Sequence, residues 1–241
     1  MFYLSRKGLS HSLHLWIQDA VHLIFPNVCA CCGTSLYAHE PVICQLCLTE
    51  LPQTFFHLET NNPVEKVFWG RFPMHTATSI FHFNKGNRVQ KLIHGLKYKN
   101  RPDIGHELGR IFGPGLLLNA ALAQAHAFIP VPLHPDKRKK RGYNQSEEIA
   151  RGLSFSMNIP LLTGVLERTR ATDTQTKKSR TDRWENVKEV FAVLQPELLK
   201  GKDLILVDDV VTTGATIEAC AQVLLEAGCA SVSLVTLAYT D

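Results

Sequence analysis

The sequence predicts an α/β protein, a doubly wound parallel sheet with a small zinc-binding module at its N-terminus. Two apolar runs predict the sheet. Phe128-Ile129-Pro130-Val131 and Leu204-Ile205-Leu206-Val207 each end in polar residues and lead into a helical pattern, which is the order of a βα unit. Both runs are continuous rather than alternating, as strands buried on two faces are. The module is predicted by two Cys-x-x-Cys pairs within residues 29–47. The 241 residues divide accordingly into 1–60, a helix and cysteine module, and 61–241, the α/β domain. With 45% hydrophobic and 20% charged residues, the composition is that of a folded domain and excludes a disordered class.

Near the N-terminus Leu13, Trp16, Ile17, Ala20, Val21 and Ile24 recur at helical spacing and form one apolar stripe. Arg6 and Lys7 precede it, but His11, His14, Gln18, Asp19 and His22 interrupt the stretch, and no small-residue cleavage site follows. A helix packed on its own protein is expected, rather than a leader, a membrane span or a membrane-surface helix, and a cytoplasmic location with it. Cys29-x-x-Cys32 and Cys44-x-x-Cys47 supply four thiolates for one tetrahedral zinc. Four protein ligands close such a site, so the metal is structural and supplies the folding energy that so small a module lacks. Cys31 is a spare, and Cys220 and Cys229 read as core residues.

Downstream, Leu51 to Pro73 reads as a linker, and Thr76 to Phe83 alternates as a strand. Val89, Leu92, Ile93 and Leu96 mark an amphipathic helix. A second helix covers Asp103 to Ala125, weakened by Gly113-Pro114-Gly115. After the strand from His126 to Pro132, a polar loop runs from Leu133 to Gln145 into a helix carrying Ile149, Ala150 and Leu153. From Asp136 to Lys188 thirteen Lys/Arg stand against seven Asp/Glu. A basic middle suits polyphosphate or nucleic acid, and equally a solvated surface. Within it Arg168 to Lys188 is almost free of apolar residues, the signature of a functional lid or a disordered segment. Ser231 to Leu237 supplies a last strand.

The chemistry concentrates between Leu204 and Thr216. Asp208 and Asp209 fall at the carboxyl end of a strand, where open α/β sheets bind ligands. Thr212, Thr213, Gly214, Ala215 and Thr216 then offer N–H groups and hydroxyls at a helix N-terminus, an anion site. Acids beside an anion cradle suit a sugar phosphate, whose ribose hydroxyls donate to carboxylates while the turn holds the phosphate. The plainer reading is a connection whose Thr caps the helix. Asp208 to Thr216 resembles the phosphoribosyl-pyrophosphate signature of type I phosphoribosyltransferases. The resemblance implies Mg²⁺ with phosphoribosyl pyrophosphate at the Asp pair. It also implies a pyrophosphate loop over Ile129–Gln145, with Arg138 and Arg141 as its preferred cations, and a hood loop with Lys178, Arg180 and Arg183 as candidate contacts.

Joined to the cysteine module, and with Val131-Pro132, Arg141-Gly142-Tyr143-Asn144-Gln145, Arg168-Thr169, Gln175, Arg180, Arg183 and Asn186, this motif is similar to the ComF family of bacterial competence proteins. That resemblance covers nearly the whole chain. It implies a cytoplasmic factor of natural transformation that binds a phosphoribosyl pyrophosphate-type ligand and handles incoming single-stranded DNA. A competence helicase or recombination loader is the implied partner, without membrane insertion. The alternative is a catalytically active phosphoribosyltransferase of nucleotide metabolism, transferring a pentosyl group with Asp208 and Asp209 as catalytic residues. Neither a recogniser for an acceptor nor a general base stands out. Tyr98, Tyr143 and Trp184 are the scattered aromatics available for stacking on a strand.

Overall fold

In the computed structural model, described over residues 26–168 and 190–240, the strands are β1 (Ala77–His82), β2 (Ala127–Pro130), β3 (Leu166–Arg168), β4 (Phe191–Val193), β5 (Asp203–Val211) and β6 (Ser231–Tyr239). The helices are α1 (Gln45–Thr49), α2 (Pro63–Val67), α3 (Arg88–Tyr98), α4 (Pro102–Leu116), α5 (Ala120–Ala123), α6 (Pro135–Arg141), α7 (Gln145–Met157) and α8 (Ala215–Glu226). The chain divides into two compact units, Met1–Glu50 and Leu51–Asp241. The expected N-terminal apolar stripe and the hood candidates Lys178, Arg180 and Arg183 lie outside the described residues. No helix among the described residues is long and apolar enough to cross a membrane.

The larger unit holds a four-stranded parallel sheet in the order β1-β6-β5-β2. The apolar runs become its centre because the strands are covered on both faces: Leu204 to Val207 are completely buried. On one face Ala127, Ile129, Leu204, Leu206, Val232 and Leu234 join Ile217, Cys220, Ala221 and Leu224 of α8 in a single core. Cys220 and Cys229 are core residues, as expected. Opposite lie α3, α4 and α7, with α7 packed on β2, β5 and α4. The α4–α7 contact needs glycine. A Cβ on Gly109 would meet the Ile149 carbonyl oxygen at 2.5 Å, and one on Gly152 would collide with that of His106.

Three expectations are corrected. The stretch from Leu51 to Pro73 is not a linker: it forms a 3₁₀ turn (Phe56–Leu58) and α2, and buries Phe56, Val64 and Phe68 in the core beneath α8. Asn62 ties it down. Its amide nitrogen donates to the carbonyls of Ala77 (2.9 Å), Phe56 and Glu59, while its oxygen caps α2 through the N–H groups of Val64 and Glu65. Five hydrogen bonds from one buried amide hold a segment too short to show periodicity.

The helix expected over 103–125 is two helices. Gly113-Pro114-Gly115 stays helical, and the break comes at 117–119, where Asn119 starts α5 by accepting from the Leu122 N–H. The loop from Leu133 to Gln145 also contains α6. Pro135 opens α6, the His134 ring nitrogen accepts from the Asp136 N–H, and Gly142 closes it with φ of 81°. No residue of α6 is buried, so hydrophobic periodicity had nothing to reveal.

Candidate functional site

The smaller unit is built around sulfur. Cys29 and Cys32 lie on a turn closed by the Gly33 N–H to the Cys29 carbonyl (2.9 Å), and Cys44 precedes α1, which carries Cys47. The Sγ atoms of Cys29, Cys32, Cys44 and Cys47 all lie within 4.8 Å of one another. Cys32 and Cys44 approach to 3.8 Å. A tetrahedron with Zn–S bonds of about 2.3 Å has edges of about 3.8 Å, so the donor set and its spacing fit zinc. Backbone N–H groups of Cys31 and Cys44 point at Cys29 Sγ, both at 3.4 Å. Burial opposes it, yet such contacts hold the Cys29 thiol below its ordinary value, and hydrogen bonding to Thr34 brings Cys32 down to about 6. Although the Cys47 N–H works the other way, burial and the three neighbouring sulfurs push Cys44 up to about 12. Four sulfurs this close ionise together only around a cation. Cys31 is buried but stands outside the cluster.

In the larger unit β5 delivers Asp208 and Asp209 to the carboxyl edge of the sheet. Asp208 Oδ1 accepts from the Ser146 hydroxyl (2.8 Å) and from the Asp209 N–H (2.9 Å). Lys97, at the end of α3, sets its Nζ 2.9 Å from Asp209 Oδ1. Desolvation and the adjacent Asp209 carboxylate push Asp208 up to about 7, against the Ser146 hydroxyl, the Asp209 N–H and the Lys97 charge. Ser146 and Lys97 were missed in the sequence because each sits at the end of a different helix, 62 and 112 positions away. Only the crossover geometry brings them together.

The turn that follows is not closed by a side-chain cap. Gly214 is the N-cap of α8, with φ of 74° and no side-chain cap hydrogen bond, so the hydroxyls of Thr212, Thr213 and Thr216 are left exposed at the helix start. The plainer reading, a Thr that caps the helix, does not hold. A Cβ at Gly214 would meet Phe68 Cε1 at 2.6 Å, so only glycine lets the turn lie this low. Arg71 braces it by donating to the Thr213 carbonyl (2.6 Å), and its Nη1 also lies 3.6 Å from Glu218. Arg71 and Phe68 come from the stretch that reads as a linker.

Of the basic residues, Arg138 lies 3.7 Å from Glu147 and lines a cavity of about 370 Å³ between α6 and the β3–β4 hairpin. Arg168 lines it too, and its buried Nε has no hydrogen-bond partner among the described residues. Asn144, also on the wall, is two residues from Ser146, the hydroxyl donor to Asp208. Arg141 turns elsewhere. It donates to Gln145 Oε1 (2.7 Å) and lies over the Tyr98 ring at 5.4 Å.

A parallel sheet with an acid pair and an open helix start at its carboxyl edge defines a phosphoribosyltransferase-type domain, and residues 131–241 match the phosphoribosyl transferase domain family. Over 89% of its length the chain is 30% identical to DNA utilization protein YhgH of Escherichia coli K12, spanning 91% of that protein. It is 33% identical over 57% of its length to Competence protein F of Haemophilus influenzae (62% of that protein), and 36% identical over 45% to Competence protein ComFC of Bacillus subtilis (42%). The chain belongs to the ComF family of competence and DNA utilization proteins. Among solved structures it is similar to the glutamine phosphoribosylpyrophosphate amidotransferase of B. subtilis complexed with ADP and GMP, with a TM-score of 0.43 and 22% identity, covering 60% of this chain and 30% of that one.

Proposed function

We propose that this protein is a cytoplasmic competence factor that binds a phosphoribosyl pyrophosphate-type ligand with Mg²⁺ and handles incoming single-stranded DNA. One observation carries the ligand. Asp208 and Asp209 stand in the carboxyl-terminal half of β5, which ends at Val211 and leads into an uncapped helix start rich in exposed hydroxyls. The Asp pair accepts from the ribose hydroxyls, directly or through Mg²⁺, for which carboxylates are suitable hard donors. The turn Thr212–Thr216 takes the 5-phosphate on its free N–H groups. The neighbouring cavity, with Arg138 and Arg168 on its wall, takes the pyrophosphate. The cysteine cluster holds a structural zinc.

The DNA part rests on the relatives, whose names refer to DNA utilization and competence, and on the basic middle of the chain. A competence helicase or recombination loader receives the strand. The test is equilibrium binding of phosphoribosyl pyrophosphate with and without Mg²⁺, by calorimetry, on the wild type and an Asp208→Ala/Asp209→Ala variant. Mg²⁺-dependent binding lost in a variant that keeps the wild-type circular dichroism spectrum supports the reading. Equal binding by both proteins removes it. The same samples, incubated with bases and amines, report on turnover. Pyrophosphate released above the level of the variant would make the protein a phosphoribosyltransferase.

A further inference from the structure

The C-terminal end of α3 presents an aromatic ring that the fold does not use. Tyr98 is 67% exposed. The Arg141 guanidinium lies over its ring at 5.4 Å, and the His94 ring stands 5.0 Å away, tilted by 49°. Lys99 is exposed beside it, and Lys97 precedes it in the helix. A lone exposed tyrosine beside one guanidinium and one exposed ammonium offers too little apolar area to enter a membrane or to anchor a protein interface. It does match a base with its phosphates: the ring stacks on the base, and Arg141 and Lys99 meet the backbone.

Tyr143 holds this arrangement still. Its hydroxyl donates to the Leu96 carbonyl and so ties the end of α3 to the α6–α7 junction. The same two elements hold the Asp pair. Lys97, next to Tyr98, pairs with Asp209; Gln145, which accepts from Arg141, precedes Ser146, which donates to Asp208. The exposed ring and the carboxylates are thus fixed by adjacent residues of one scaffold.

We infer that Tyr98, backed by Arg141, is the platform on which this protein stacks an unpaired base of single-stranded DNA, beside the phosphoribosyl pocket. The inference rests on the DNA-handling reading and names the surface that does it. Duplex DNA keeps its bases stacked on one another and offers this ring no face, so the platform selects single strands. Tyr143 contributes no platform, because its hydroxyl is committed to Leu96.

The test is fluorescence anisotropy of the zinc-loaded full chain with a labelled oligothymidylate of about twenty nucleotides. Tyr98→Ala weakens binding about tenfold, Tyr98→Phe keeps it within about twofold, and Arg141→Gln weakens it severalfold. Phosphoribosyl pyrophosphate binding stays unchanged in Tyr98→Ala. A ring needed only for stability would lower the melting temperature of Tyr98→Ala and leave the affinity of its folded fraction intact, which overturns the platform. Wild-type affinity in both Tyr98→Ala and Arg141→Gln also overturns it while the DNA-handling reading survives. No strand binding by the wild type at low salt overturns both.

Discussion

Lys97 Nζ lies 2.9 Å from Asp209 Oδ1, so a helix end from early in the chain neutralises an acid of the signature motif. The pair is largely shielded, with side-chain exposures of 23% and 13%. Lys97→Gln leaves adjacent carboxylates without their nearby cation and should destabilise the fold by about 1–3 kcal/mol at pH 8. At pH 5 the loss should be smaller, because Asp208 is then neutral and Lys97 has less negative charge to offset. Urea denaturation at the two pH values measures the difference.

Asp208 carries the sign of a second prediction. Its value in the fold is about 7, against an ordinary 3.8. Between these values the folded protein holds a proton that the unfolded chain has released, so this group's contribution is full below about pH 4 and is lost as pH rises through about 7. Asp208→Asn should remove that dependence and make the protein more stable than wild type at pH 8, with little change at pH 4. Ligand binding runs the other way. An anionic Asp208 is needed to accept from ribose or to attract Mg²⁺, so phosphoribosyl pyrophosphate affinity should rise from pH 6 to pH 8 in the wild type. The matched Asp208→Asn titration corrects for ionisation of the ligand.

Metal analysis of the purified protein should find one zinc per chain. Cys44→Ala should lose it, and Cys31→Ser should keep it, because Cys31 stands outside the four-sulfur cluster. Chelation should raise hydrogen exchange within residues 26–50, where the cluster replaces a hydrophobic core. Full zinc content in Cys44→Ala would remove the four-cysteine assignment.

Asn62→Ala should cost about 2–4 kcal/mol in chemical denaturation, since it strands three carbonyls and uncaps α2. Because the segment it anchors supplies Phe68 beneath Gly214 and Arg71 beside Thr213, ligand affinity should fall with stability.

Much of the candidate site is contiguous and so could be read directly. Asp208 to Thr216 spans the end of a strand, a turn and a helix start, and each part is local chemistry: apolar residues, then acids, then small hydroxyl residues. The cysteine pairs are equally local. Arg141 shows where such reading stops. Five consecutive cations cannot reveal which one faces a pocket, and the helical form of α6 turns Arg141 onto Tyr98 while Arg138 faces the cavity.

The sequence by itself determined the parallel α/β class, the four sulfur donors and the acid-and-turn motif, because each rests on patterns within one or two elements. Only the tertiary structure decided that Lys97 and Ser146 hold the two carboxylates, that Arg71 and Phe68 support the turn at Thr213 and Gly214, and that 51–73 belongs to the core. The physical reason is the crossover order β1-β6-β5-β2. It places β5 between its partners and gathers residues far apart in the chain at one edge of the sheet, where no local periodicity records their meeting.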